Sequence, residues 1–145
     1  MTALHVAADN NFKEIAELLI RHGADVNARN IQGNTALHYA AFHNEKELAE
    51  LLILNGSDIK LKNFKGMNPF YMAIGRNSFE TAELLISYGA NVNEKDNKGN
   101  TAIHIAANSQ NNKELLELLI SNSADVNSKG TVVNRNSSKV TPQKS

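Results

Sequence analysis

Apolar side chains recur along this chain in short runs too regular to be independent of one another. A Leu-Leu-Ile run follows a glutamate at Glu17-Leu-Leu-Ile20, Glu50-Leu-Leu-Ile53, Glu83-Leu-Leu-Ile86 and Glu117-Leu-Leu-Ile120. Ahead of each stands a second block: Thr2-Ala-Leu-His-Val-Ala-Ala8, Thr35-Ala-Leu-His-Tyr-Ala-Ala41, Asn68-Pro-Phe-Tyr-Met-Ala-Ile74 and Thr101-Ala-Ile-His-Ile-Ala-Ala107. The starts of this block lie 33 residues apart, and the Leu-Leu-Ile runs keep that spacing until a final interval of 34. One residue is therefore inserted in the fourth unit, within Asn108-Ser-Gln-Asn-Asn112. A polar block closes each unit: Gly23-Ala-Asp-Val-Asn27, Gly56-Ser-Asp-Ile-Lys60, Gly89-Ala-Asn-Val-Asn93 and Ser123-Ala-Asp-Val-Asn127. Three blocks in constant phase over four copies mark a repeat architecture.

The physics of one unit reads as helix, turn, helix and extended loop. Thr35 is suited to cap a short apolar helix ending near Phe42-His43. Asn44 stands at the break, where asparagine tolerates a left-handed backbone. From Glu47 to Asn55 the spacing of Leu48, Leu51 and Leu52 predicts a second helix, which Gly56 ends. Ser57 to Gly66 form a polar excursion with a turn at Phe64-Lys65-Gly66. Both helices fall short of the ~12–15 residues that hold alone in water. Each unit must therefore lean on its neighbours. The expected fold is an all-α solenoid, with Leu18, Leu19, Leu51, Leu52, Leu84, Leu85, Leu118 and Leu119 in its core. Leu18, Leu51, Leu84 and Leu118 are expected to be equivalent buried positions of successive layers.

The repeat domain spans 1–129, in units of about 1–29, 30–62, 63–95 and 96–129. Residues 130–145 have no periodicity and few apolar side chains, the composition of a disordered tail. Lys129, Arg135, Lys139 and Lys144 give this end +4 against −4 for residues 1–127, within a net charge of zero. A solvated end explains that better than a nucleic-acid contact, which would weaken steeply with salt and vanish on removing residues 130–145. Unit one lacks the polar outer face of a solenoid end, as expected of a stretch of a longer array.

With no cysteine there is neither a disulfide frame nor a thiolate metal site. No apolar run reaches the ~20 residues that span a bilayer, and residues 2–8 open with no basic region of a secretory signal. The expected location is intracellular, the cytoplasm first and the nucleus as the alternative. Catalytic candidates are wanting. His5, His38 and His104 share one repeat position, but layers ~8–10 Å apart cannot share a metal with ~2.0–2.1 Å bonds, and Tyr71 breaks the series. His22 and His43 read as surface residues near helix ends. Glu17, Glu50, Glu83 and Glu117 repeat one environment four times, whereas an acid–base pair needs two unlike ones. No phosphate loop, dinucleotide turn, zinc helix or nucleophile elbow occurs. No enzyme, metal, cofactor or small-molecule substrate is expected.

The three blocks closely resemble the ankyrin repeat, whose signature runs Gly-x-Thr-Pro-Leu-His-x-Ala-Ala, a Leu-Leu run, then Gly-Ala-x-Val-Asn. The resemblance covers residues 1 to about 129. It departs at Ala3, Ala36 and Ala102, where proline is usual, at Asn68 and Tyr71 in unit three, and at Ser123, where a glycine cap is expected. It implies helix-turn-helix units joined by β-hairpin-like loops, and a histidine that links loop to loop. It also implies a protein-binding module, probing its partner through a concave groove lined by loop tips and first helices, whose positions vary between copies.

Carried over position by position, the tip sites are Ile31, Gln32, Phe64, Lys65, Asn97 and Lys98. Asn34, Met67 and Asn100 follow the tip glycines, and Asp9-Asn10, Phe42-His43, Gly75-Arg76 and Asn108-Ser109 end the first helices. The candidate partner-binding set is Ile31, Gln32, Asn34, Phe42, His43, Phe64, Lys65, Met67, Arg76, Asn97 and Lys98. Large apolar Ile31, Phe42, Phe64 and Met67, flanked by Lys65 and Arg76, form the pattern of a binding hot spot. The competing reading packs some of them against the adjacent unit, and Tyr39 shares its position with Val6, Met72 and Ile105. The partner is expected to be another protein, bound by a monomer. The alternative is a structural spacer within a longer array, without recognition of its own.

Overall fold

Capping and left-handed turns cut the described residues into eight short helices. The computed structural model describes residues 1–108, 112–122, 124 and 126; the inserted segment at 109–111, the Ser123 cap and the tail from 127 onward lie outside them. The helices are α1 (Ala3–Asp9), α2 (Lys13–Arg21), α3 (Ala36–Phe42), α4 (Lys46–Leu54), α5 (Pro69–Gly75), α6 (Phe79–Ser87), α7 (Ala102–Ala107) and α8 (Lys113–Ser121). Thr2, Thr35, Asn68 and Thr101 hold extended backbone at the starts of the odd-numbered helices. Pro69 sits at the first turn of α5, where a missing amide costs nothing. Asn11, Asn44 and Asn77 take φ of 55°, 56° and 57° at the break between paired helices, as anticipated for Asn44.

The pairs stack into two rows. α1, α3, α5 and α7 pack in order, as do α2, α4, α6 and α8, and each odd helix packs on the even helix that follows it. The first row runs on small side chains: Ala7, Ala8, Ala40, Ala41, Ala73 and Ala106 are buried and let the backbones approach. Leu37, Phe70, Leu48, Leu52, Leu85, Leu115 and Leu119 fill the space between the rows. Asn44 also pins layer to layer, its Oδ1 accepting from the Thr81 amide at 3.1 Å and hydroxyl at 2.9 Å. Among the described residues no helix is long and apolar enough to cross a membrane.

The expected equivalence of Leu18, Leu51, Leu84 and Leu118 is corrected. Leu84 is buried and Leu51 and Leu118 are half-buried, but Leu18 is 50% exposed. The invariantly interior leucine is the next one, fully buried at Leu52, Leu85 and Leu119 and half-buried at Leu19. Ile15, 49% exposed, behaves like Leu18, although its counterparts Leu48, Thr81 and Leu115 are buried. Side chains at these positions are covered by the preceding layer, and in the described structure no layer precedes the first. Leu52→Ala should therefore cost ~2–5 kcal/mol and Leu18→Ala less than about half of that. Urea unfolding with an unchanged denaturant slope measures both.

Candidate functional site

Each loop tip is built by one side chain. Asn30 Oδ1 accepts from the amides of Gln32 and Asn34, both at 3.0 Å. Asn63 does the same for Lys65 and Met67, and Asp96 for Lys98 and Asn100. Backbone bonds Asn30 N–H to Asn34 O, Asn63 N–H to Met67 O and Asp96 N–H to Asn100 O close the hairpin-like turns. Successive tips are then tied together. The Phe64 amide donates to Gln32 O and the Asn97 amide to Lys65 O, each at 3.1 Å. Gly33 has φ +81°, and a Cβ there would stand 2.9 Å from the Phe64 amide nitrogen, so only glycine fits where the tips nest.

A rung of hydrogen bonds joins α1, α3 and α5 each to the tip that follows. The Thr35 amide donates to His38 Nδ1 at 3.0 Å, which leaves the ring proton on Nε2; this donates to Met67 O at 2.9 Å. His5 makes the equivalent bond to Asn34 O at 2.9 Å. Tyr71, which breaks the histidine series, reaches the same loop differently: its hydroxyl donates to Asp96 Oδ2 at 2.7 Å. Asn34 is itself buried, and its Oδ1 accepts from Asn63 Nδ2 at 2.9 Å. Its hydrogen bonds position the tips. Met67 is half-buried and offers its carbonyl to the rung.

Between tips and first helices lies a cavity of about 250 Å³. Tyr39, Phe42 and Met72 supply its apolar lining, and Asp9, Gln32, Asn34, His38 and His43 the polar part. Gln32, Asn34, Phe42 and His43 of the candidate set are thus brought together. Arg76 joins them, its guanidinium 4.3 Å from the Phe42 ring centroid in a cation–π contact. His43 lies edge-on to Phe42 at 5.0 Å and pairs with Asp9 Oδ1 at 2.8 Å, clasping unit one to unit two. Ile31 and Phe64 project from the tips, 91% and 65% exposed, and Lys65, Asn97 and Lys98 are exposed beside them. Arg29 lies 5.9 Å from the Phe64 ring centroid and donates to the Lys62 carbonyl.

Sequence reasoning passed over Arg29 and Glu45 and left Tyr39 undecided. Glu45 holds the position taken by Phe12, Ser78 and Asn112, and that irregularity was the available signal. The residue is 7% exposed, and Oε1 has no hydrogen-bond partner among the described residues.

The family model described as ankyrin repeats (three copies) matches residues 1–63 and again 43–130. No curated protein matches the chain.

Two buried groups give the layers around this cavity opposite responses to pH. Burial pushes the Glu45 carboxyl up from 4.5 to about 7, with His43 opposing and Asp9 reinforcing the rise. Its protonated form suits the fold, so stability is fully present below pH 4.5 and is lost as pH rises to about 7. Burial holds His38 down from 6.5 to about 4, against the Met67 hydrogen bond. That contribution is present above pH 6.5 and is lost as pH falls towards 4. Glu45→Gln should therefore match the parent near pH 4.5 and exceed it at higher pH, the gap opening by up to about 1.4 kcal/mol per pH unit between pH 4.5 and about 7 and staying constant above. Urea unfolding at pH 4.5, 6 and 8 reads the difference.

Proposed function

We propose that this chain, which belongs to the ankyrin-repeat family, is a non-catalytic adaptor that binds another protein through its concave groove. Ankyrin repeats are in general protein-interaction modules. The single observation that carries the assignment is the cavity of units one to three, where Phe42 lies under Arg76 and beside His43, with Ile31 and Phe64 exposed on the adjoining tips. Large apolar side chains left in water beside fixed cations are suited to being covered by a partner, because an apolar contact with a polar rim concentrates binding energy. The binding residues are Ile31, Gln32, Phe42, His43, Phe64, Lys65, Arg76, Asn97 and Lys98, with Asn34 and Met67 holding the tips in place.

A second reading is favoured by the apolar leading face of unit one, where Phe12, Ile15 and Leu18 stay exposed. In it the chain is a spacer layer within a longer solenoid. Placing one further 33-residue unit ahead of residue 1 would then raise the unfolding midpoint, and an unchanged midpoint would sink the spacer reading. The adaptor reading has its own test. Phe64→Ala combined with Arg76→Glu should weaken capture of a partner from cell lysate at least tenfold while the helical melting curve stays in place. Capture at full strength would remove the groove from consideration.

A further inference from the structure

We infer that the groove selects an extended peptide segment carrying one large apolar side chain and acidic residues spaced about three apart. This inference rests on the groove being the binding site. Its basis is how the charges are distributed. Three carboxylates at the groove and on the loops beside it are tied to side chains: Asp9 to His43, Glu94 to Lys62 at 3.4 Å, and Asp96 to Tyr71, while Asp25 and Asp58 each accept from an amide of their own loop and Glu45 is buried. Three cations there are not so tied. Lys65, Arg76 and Lys98 are exposed and have no carboxylate within ion-pair distance among the described residues. Most of the other acids are exposed or half-exposed glutamates along the second helices, Glu47, Glu50, Glu80 and Glu83 among them, where Lys13, Arg21, Lys46 and Lys113 also stand. The tips thus present cations without a carboxylate partner, although the net charge is zero.

Geometry adds a spacing. Lys65 and Lys98 occupy the same place on successive tips, one layer apart. Packed layers are ~8–10 Å apart and an extended chain advances ~3.3 Å per residue. Carboxylates three residues apart therefore meet successive lysines. The Arg76 guanidinium sits 4.3 Å from the Phe42 ring centroid, a contact that uses none of its N–H donors and so is compatible with a bidentate carboxylate contact. The neighbouring cavity, at about 250 Å³, has room for one large apolar side chain among Tyr39, Phe42 and Met72.

Selection from a random dodecapeptide display library on the immobilised full chain tests this. Recovered peptides should pair an aromatic or large aliphatic residue with Asp or Glu at three-residue spacing, and bind at least tenfold more weakly at 0.3 M than at about 0.05 M salt. Lys65→Glu with Lys98→Glu, both at exposed positions, should reverse the preference to basic peptides. Binders that Phe42→Ala weakens but that are neutral or basic would overturn this inference and leave the groove standing. Binders indifferent to Phe42→Ala and to the lysine changes would overturn both. Failure to recover any binder, or displacement of the peptides by an equal concentration of single-stranded RNA, would also overturn the acidic-peptide assignment.

Discussion

The hydrogen bond from the first helix of one layer to the loop of the next is the contact on which the remaining geometry depends. The helices are six to nine residues long, and helices so short would not by themselves hold the fourteen-residue loops between layers, such as 55–68, in one place. His5 and His38 do so by turning two faces of one ring to two jobs: Nδ1 closes the helix start and Nε2 anchors the following tip. Burial keeps His38 neutral, and only a neutral ring can accept at one nitrogen while donating at the other. With the tips fixed, the turns built by Asn30, Asn63 and Asp96 set the directions in which Ile31, Phe64 and Lys98 leave the surface.

The architecture was legible because duplication exposes whatever each unit requires. Thr35 at a helix start, Asn44 at φ 56° and Gly56 at φ 99° all stand where propensity alone would put them. Sequence equivalence failed to convey position within the stack. Leu18 and Leu84 are the same letter at the same register, yet one is exposed and the other buried, because burial belongs to the interface between two units. Asn34 illustrates a similar gap. Variable between copies, it looks free to contact a partner, but its oxygen is taken by Asn63 from the next loop.

The groove is legible only in part for a related reason. Repeat positions told which side chains face inward, and Phe42 and His43 do meet in one cavity. Which inward neighbours touch was not available from spacing. Arg76 lies one layer beyond Phe42 and reaches back over its ring, and Asp9 lies one layer before His43 and reaches forward. Glu45 beneath them was hidden further, since a carboxylate in that register has no counterpart elsewhere in the chain.

The Asp9–His43 clasp and the Arg76–Phe42 stack each cross a seam between layers. A surface assembled from three adjoining layers exists only while those layers remain closed against one another. Among the described residues the first layer is covered on one side alone, and a layer so held opens at lower free energy than one held from both sides. Each such opening removes Asp9 from the groove and releases His43. On the proposed binding role, affinity at this surface is tied to the breathing of a neighbour that need not touch the ligand at all, and any contact that quiets that layer would tighten binding from a distance.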